Sequence, residues 1–192
     1  MKIPIHLFSS SSNNDDLISG RFDAAIRLGQ LDNSSHHAKL LDRFDIIPVA
    51  SEGYLLKHHA GAITQLTQLQ SAHWIAHGRL VKPLSWEVVL PNGDVVLCQA
   101  NMASTITADT VGSLLAFTRS GAGIALLPSW LVQEDIATGR LIQLLSDHRF
   151  PKQGIYAVYP NTRHVSEKVR KFIDFLQSYI NENARQHIND PT

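Results

Sequence analysis

The sequence holds one cysteine, Cys98. A lone cysteine makes no disulfide within its chain and builds no cysteine-based metal site. Its expected role is that of a small buried hydrophobe. No apolar run approaches the roughly 18 residues a membrane-spanning helix needs. The opening MKIPIHLFSSSS turns polar too soon for a secretory signal, so a cytoplasmic protein without membrane contact is expected. Net charge is also lacking, because 17 Lys and Arg balance 17 Asp and Glu. Without a bulk positive field the chain is a poor binder of nucleic acid.

Catalytic fingerprints are missing as well. There is no Gly-x-Ser-x-Gly, no phosphate loop and no dinucleotide fingerprint opening a helix. Gly121 and Gly123 follow an apolar helical pattern, whereas phosphate loops precede one. They are expected to do packing work: Gly121 ends the helix in a left-handed turn, and Gly123 lets the next strand start close against the helix end. Ten histidines invite a metal reading. The pairs His36–His37 and His58–His59 are adjacent, and adjacent side chains point apart. His73 and His77 are four apart on a stretch that reads as strand. No enzyme activity, catalytic residue, metal or cofactor is expected.

What is present is an ordinary globular composition, 192 residues with 44% hydrophobic and 18% charged. That length suits one domain or two small lobes. KIPIHLF and FDAAIRLG read as strands. KLLDRFDIIPVAS is strand material broken by Pro48, which suits an edge strand or a chain leaving one sheet for another. SEGYLLKHHAG reads as a short helix and its stop. SWEVVLPNGDVVLCQAN carries the strongest hairpin cue, Asn-Gly between two β-rich runs. ADTVGSLLAFTRSG is a helix capped near Asp109 or Thr110. GIALLP and GIYAVYP are further strands. In the last helix Val169, Phe172, Ile173, Leu176 and Ile180 form one apolar stripe. Strands alternating with helices predict an α/β fold with a largely parallel sheet.

Polar residues gather at the predicted carboxyl ends of strands. They are Ser9–Ser12, Arg27 with Gly29, His77 with Gly78, and Thr107–Thr110. Ligands of open α/β sheets bind beyond those ends. Helix N-termini there favour anions, and arginine grips a carboxylate with two hydrogen bonds.

The stretches DLISGRFDAAIRLGQL, GSLLAFTRSGAGIALLPSWLVQEDIATGRLIQLL and IYAVYPNTRHVSEKVRKFIDFLQSYI resemble the effector-binding domain of LysR-type transcriptional regulators. The resemblance covers nearly the whole chain, with the motifs in the family's order. It implies a two-lobed fold like the type 2 periplasmic binding proteins. Lobe one is expected at residues 1–50 and 152–192, and lobe two at 51–151. It also implies a small, anionic effector bound in the cleft between lobes, and self-association as dimer or tetramer. By position, Ser10, Ser11, Arg27 and Thr110 match effector contacts of the family, and His77 is a further candidate. The family's N-terminal winged helix-turn-helix is expected to be absent from this chain. Nothing in the first 16 residues could form it, so DNA would be bound only through that missing domain. The chain starts where the family's second strand lies, so lobe one is expected to lack its first strand and helix. Either a fragment or a shortened reading frame would give such a chain. A stand-alone solute-binding module of the same fold is the alternative.

Overall fold

A computed structural model describes residues 7–9, 22–29, 37–78, 80, 82–101, 105–161 and 165–188. Among the described residues the first elements are three strands, β1 (Leu7–Ser9), β2 (Ala24–Gly29) and β3 (His37–Phe44). Then come β4 (Ile46–Ala50), helices α1 (Glu52–His59) and α2 (Leu66–Gln70), and β5 (Trp74–His77). The hairpin β6 (Ser85–Val89) and β7 (Val95–Gln99) leads to β8 (Thr105–Ala108) and α3 (Val111–Arg119). β9 (Ala125–Pro128), α4 (Ser129–Ala137), β10 (Ile142–Gln143), β11 (Gln153–Tyr159) and α5 (Glu167–Ile188) complete it. These elements divide into two compact units. Unit 1 comprises residues 1–44 and 153–192, and unit 2 comprises residues 45–152.

Unit 1 is a four-stranded sheet in the order β1-β2-β11-β3. β11 returns from unit 2 and inserts between β2 and β3, antiparallel to both. Helix α5 buries Val169 and Ile173 against Ala24 of β2 and Ala157 of β11. Phe172, Leu176 and Ile180 are half-buried on the same stripe. The expected apolar face is therefore the face that packs.

Unit 2 holds the larger core, built around Val49, Ile75, Leu115, Leu127, Val132 and Leu141. Each fully buried aliphatic side chain there contributes about 1.5–3 kcal/mol of transfer free energy. Helix α1 starts because Ser51 is extended (φ −75°, ψ 151°) and its Oγ accepts the Tyr54 N–H at 3.3 Å. It stops at Ala60, which is left-handed with φ 51°. The hairpin forms where expected, with register Ser85↔Gln99 to Val89↔Val95. Asn92 Oδ1 accepts the Asp94 N–H at 3.0 Å, and Gly93 takes φ 93°. Cys98 is buried on the inner face beside Trp86 and Val88, the hydrophobe's position expected of it.

Three expectations need correction. The sheets are not largely parallel: of the seven described strand ladders β1–β2 and β5–β8 are parallel and five are antiparallel, with one further parallel bridge at Trp74↔Ile124. Alternation of strands and helices sets spatial neighbours only while the chain stays in one sheet, and here it leaves and comes back. Pro48 does not lie at an edge. It sits in β4, the middle of the order β10-β4-β9, opposite Leu126. β10 pairs only with Val49 and Ala50, and next to it Leu144 N–H donates to the Pro48 carbonyl at 2.9 Å. The ladder thus asks Pro48 for an acceptor on that side and not for the donor it lacks. The chain does change sheets nearby, at Asp45 between β3 and β4. Gly121 is left-handed (φ 80°), as expected. Gly123, however, packs against the entry to β5 rather than the helix end: a Cβ there would lie 2.6 Å from the His73 carbonyl oxygen.

Candidate functional site

Three of the five predicted site residues are among the described ones, Arg27 in unit 1 and His77 and Thr110 in unit 2. In unit 1, β1 ends at Ser9, in register with Ile26 of β2. Arg27 is the next residue of β2 and stands opposite Tyr156 of β11. Its side chain is half-buried. Its Nε is fully buried and has no hydrogen-bond partner among the described residues. A buried guanidinium N–H without an acceptor is costly, on the order of 1–3 kcal/mol. Ser10 and Ser11, expected beside it, lie outside the described residues.

In unit 2, parallel β5 and β8 bring their carboxyl ends together, with His77 in register with Ala108. Gly78 N–H donates to the Ala108 carbonyl at 2.9 Å. A Cβ on Gly78 would lie 2.6 Å from Asp109 Oδ1 and 2.8 Å from Thr107 Cγ2, so a larger residue there would make those side chains shift. Thr110 follows as N-cap of α3. Its Oγ1 accepts the Ser113 N–H at 3.1 Å and lies 2.8 Å from Ser113 Oγ. His77 and Thr110 thus share one rim, at the positive end of a nine-residue helix. The N–H groups of Val111 and Gly112 have no acceptor within the helix.

Two features of unit 2 escaped the sequence reading. The first is Asp135, whose carboxylate is buried on α4. Arg119 holds it with Nε at 3.0 Å and Nη2 at 2.7 Å, and Arg140 Nε donates at 2.7 Å. The Arg119 hydrogen bonds, and then Arg140, hold the carboxyl below its ordinary range against the upward push of burial. Both arginines, with Lys57, also line an open cavity of about 460 Å³ at the start of α1. The cue was the partnership of Arg119 with an acid 16 residues on, which no local pattern displays.

The second is a histidine cluster. His58 and His59 do not part company as adjacency suggested. Both rings stand near Tyr54, at centroid distances of 4.9 and 5.4 Å, and His73 comes within 6.1 Å. Tyr54 lies four and five residues before them, so its ring sits between their two directions on the helix. Among the described residues no group of three His, Cys, Asp or Glu side chains is disposed to hold a metal ion. No helix among them is long and apolar enough to cross a membrane.

Two small α/β units with polar residues at strand ends belong to a class of open α/β folds, in which ligands bind beyond the carboxyl ends of strands. Comparison with known proteins makes the class specific. The model of the LysR substrate binding domain family matches residues 2–181, and the chain belongs to that family. It is 36% identical over 175 residues to the HTH-type transcriptional regulator PtxR of Pseudomonas aeruginosa, covering 86% of this chain and 51% of that protein. It is 32% identical over 177 residues to the HTH-type transcriptional regulator CrgA of Neisseria meningitidis, covering 91% of this chain and 56% of CrgA. The chain thus spans about half the length of these relatives. The structure of the CrgA regulatory domain aligns with a TM-score of 0.68 at 29% identity, covering 88% of this chain and 80% of that domain. The full-length Vibrio cholerae virulence activator AphB aligns at 0.63 with 30% identity, covering 88% of this chain and 56% of AphB. The fold is accordingly that of LysR-type regulatory domains, which is type 2 periplasmic-binding-protein-like.

Proposed function

We propose that this chain is the effector-sensing part of a transcription regulator and takes a small anion. The observation that carries the reading is Arg27, whose buried Nε lacks an acceptor among the described residues. Thr110 and the first turn of α3 supply a second set of donors for a carboxylate or a polarised carbonyl. Ser10, Ser11 and His77 are the remaining candidate contacts. On this reading the two units are the two lobes, and the effector biases the regulator through its different affinity for two states. The whole regulator binds operator DNA through a helix-turn-helix domain, associates with copies of itself, and works in the cytoplasm without catalysing a reaction. PtxR and CrgA support the DNA-binding part of this, because each is an HTH-type transcriptional regulator.

The test is a thermal-shift screen of small carboxylates and aldehydes against this chain. A ligand at one hundred times its Kd stabilises by about 2.7 kcal/mol. Arg27→Ala should abolish the stabilisation by an anionic hit, and Thr110→Ala should weaken it. Stabilisation unchanged in Arg27→Ala removes Arg27 from the site. Conversion of the hit into product would overturn the sensor reading in favour of an enzyme.

A further inference from the structure

The histidine cluster of unit 2 takes no part in the rim chemistry above. Tyr54 is 2% exposed. Its hydroxyl oxygen accepts the His73 backbone N–H at 2.9 Å. His59 Nε2 lies 3.2 Å from the same oxygen, and His73 Nδ1 lies 3.5 Å from it. The His58 and His73 rings meet edge to face at 5.0 Å. Since the oxygen already accepts from the backbone, the hydroxyl proton needs an acceptor. The neutral His59 Nε2 is the nearer one.

Protonation removes that acceptor. A charged imidazole is a donor at both nitrogens. His59 would then have to donate to Tyr54, and the Tyr54 proton would turn to His73. That contact, at 3.5 Å, is longer than the 3.2 Å one it replaces, so the fastening weakens. Charged His58 and His59 would both crowd the Tyr54 ring, at centroid distances of 4.9 and 5.4 Å, where like charges repel.

We propose that Tyr54, His58, His59 and His73 form a proton-operated switch that fastens α1 to the entry of β5 at neutral pH and loosens it in acid. The surrounding groups favour the uncharged state. On α1, Lys57 adds repulsion toward His58, and the acid Glu52 sits in the first turn at the opposite end of the helix. From the β5 side the titratable group is His73. The Gly121–Gly123 loop packed behind it carries no titratable side chain. His58 is exposed, and partial loss of its hydration, then His73 and Lys57, hold it below its ordinary value of 6.5. Burial first, then His58 and His73, do the same to His59. A histidine depressed in the folded state takes up protons more readily when unfolded. Stability is therefore full above pH 6.5 and falls as the pH drops through the folded values.

His73 gives the switch a reach beyond α1. Its carbonyl accepts the Ile124 N–H at 2.9 Å, and it is the atom against which Gly123 closes. Loosening His73 thus loosens the start of β9 as well as that of β5.

The experiment follows tryptophan fluorescence during thermal unfolding of the full chain from pH 7.5 to 5.5. It compares the wild type with H58Q/H59Q/H73Q, and uses circular dichroism at pH 7.5 to establish that the variant folds. The wild-type Tm should fall by several degrees across this range, and at least half of that fall should vanish in the variant. Histidine ring-proton NMR titration of the wild type gives an independent readout, with His58 and His59 titrating below 6.5. Equal falls in both proteins, or His58 and His59 titrating at or above 6.5, would overturn the switch. If the triple variant does not fold, the NMR titration alone decides.

Discussion

Removing the Asp135 carboxylate should destabilise unit 2 without touching either rim. Asp135 is fully buried and receives three charge-assisted hydrogen bonds from two arginines. Breaking a buried ion pair by deleting one partner costs about 3–5 kcal/mol, because the other charge is stranded. Here the arginine side chains are 47% and 49% exposed, so water takes over part of their solvation. The discounted expectation for Asp135→Ala is about 2–3 kcal/mol. For a chain of this size that lowers Tm by about 4–12 °C. The assay is direct, since Trp74, Trp86 and Trp130 all belong to unit 2 and its unfolding can be followed by their fluorescence alone. Asp135→Asn keeps the volume but points an amide N–H at a guanidinium, so it should lose nearly as much as alanine. Acid should narrow the gap between wild type and variant. The folded carboxyl titrates below its ordinary 3.8, so its contribution is complete at neutral pH and is lost as the pH falls through the folded value. A Tm loss under about 2 °C for Asp135→Ala, or an Asn variant as stable as wild type, would refute the electrostatic account.

Other positions give equally sharp expectations. Gly123→Ala forces a Cβ to within 2.6 Å of the His73 carbonyl oxygen, a backbone atom that cannot swing away. It should cost about 1–3 kcal/mol in the same unfolding assay, a strain comparable to overpacking a core. Thr110→Ala removes the cap of α3 and should cost about 1 kcal/mol in urea, while Thr110→Ser or Thr110→Asn should restore most of it. A Thr110→Ala chain as stable as wild type would show that the Ser113 contact carries no weight.

Local signals in the sequence were read well where the cause is local. The Asn92-Gly93 hairpin, the Ser51 and Thr110 helix starts, the left-handed Gly121 and the α5 stripe each depend on neighbours within a few residues. Strand direction did not yield to such reading, because β11 is placed by a return from unit 2 and not by the residues beside it. Pro48 misled for the same reason: whether its missing N–H matters depends on how short β10 is. At the rims, position along a strand was enough to bring His77 and Thr110 together. It could not show that Arg27 keeps a buried atom without an acceptor among the described residues, since that is a property of packing. The Tyr54 cluster was half visible, in a tyrosine four residues before His58. His73 reaches it through the fold alone.

The insertion of unit 2 between β3 and β11 has a consequence for synthesis. The strand that joins β2 to β3 is made after all of Asp45–Lys152. At 5–20 residues per second the ribosome needs roughly 5–20 s to cover that interval. Throughout it, the β2 and β3 edges that β11 will join stand open to wrong partners. Unit 2 has every residue it needs before Gln153 leaves the exit tunnel. The nascent chain is thus poised to complete its inserted half first and to close the half that began earlier only at the last strand.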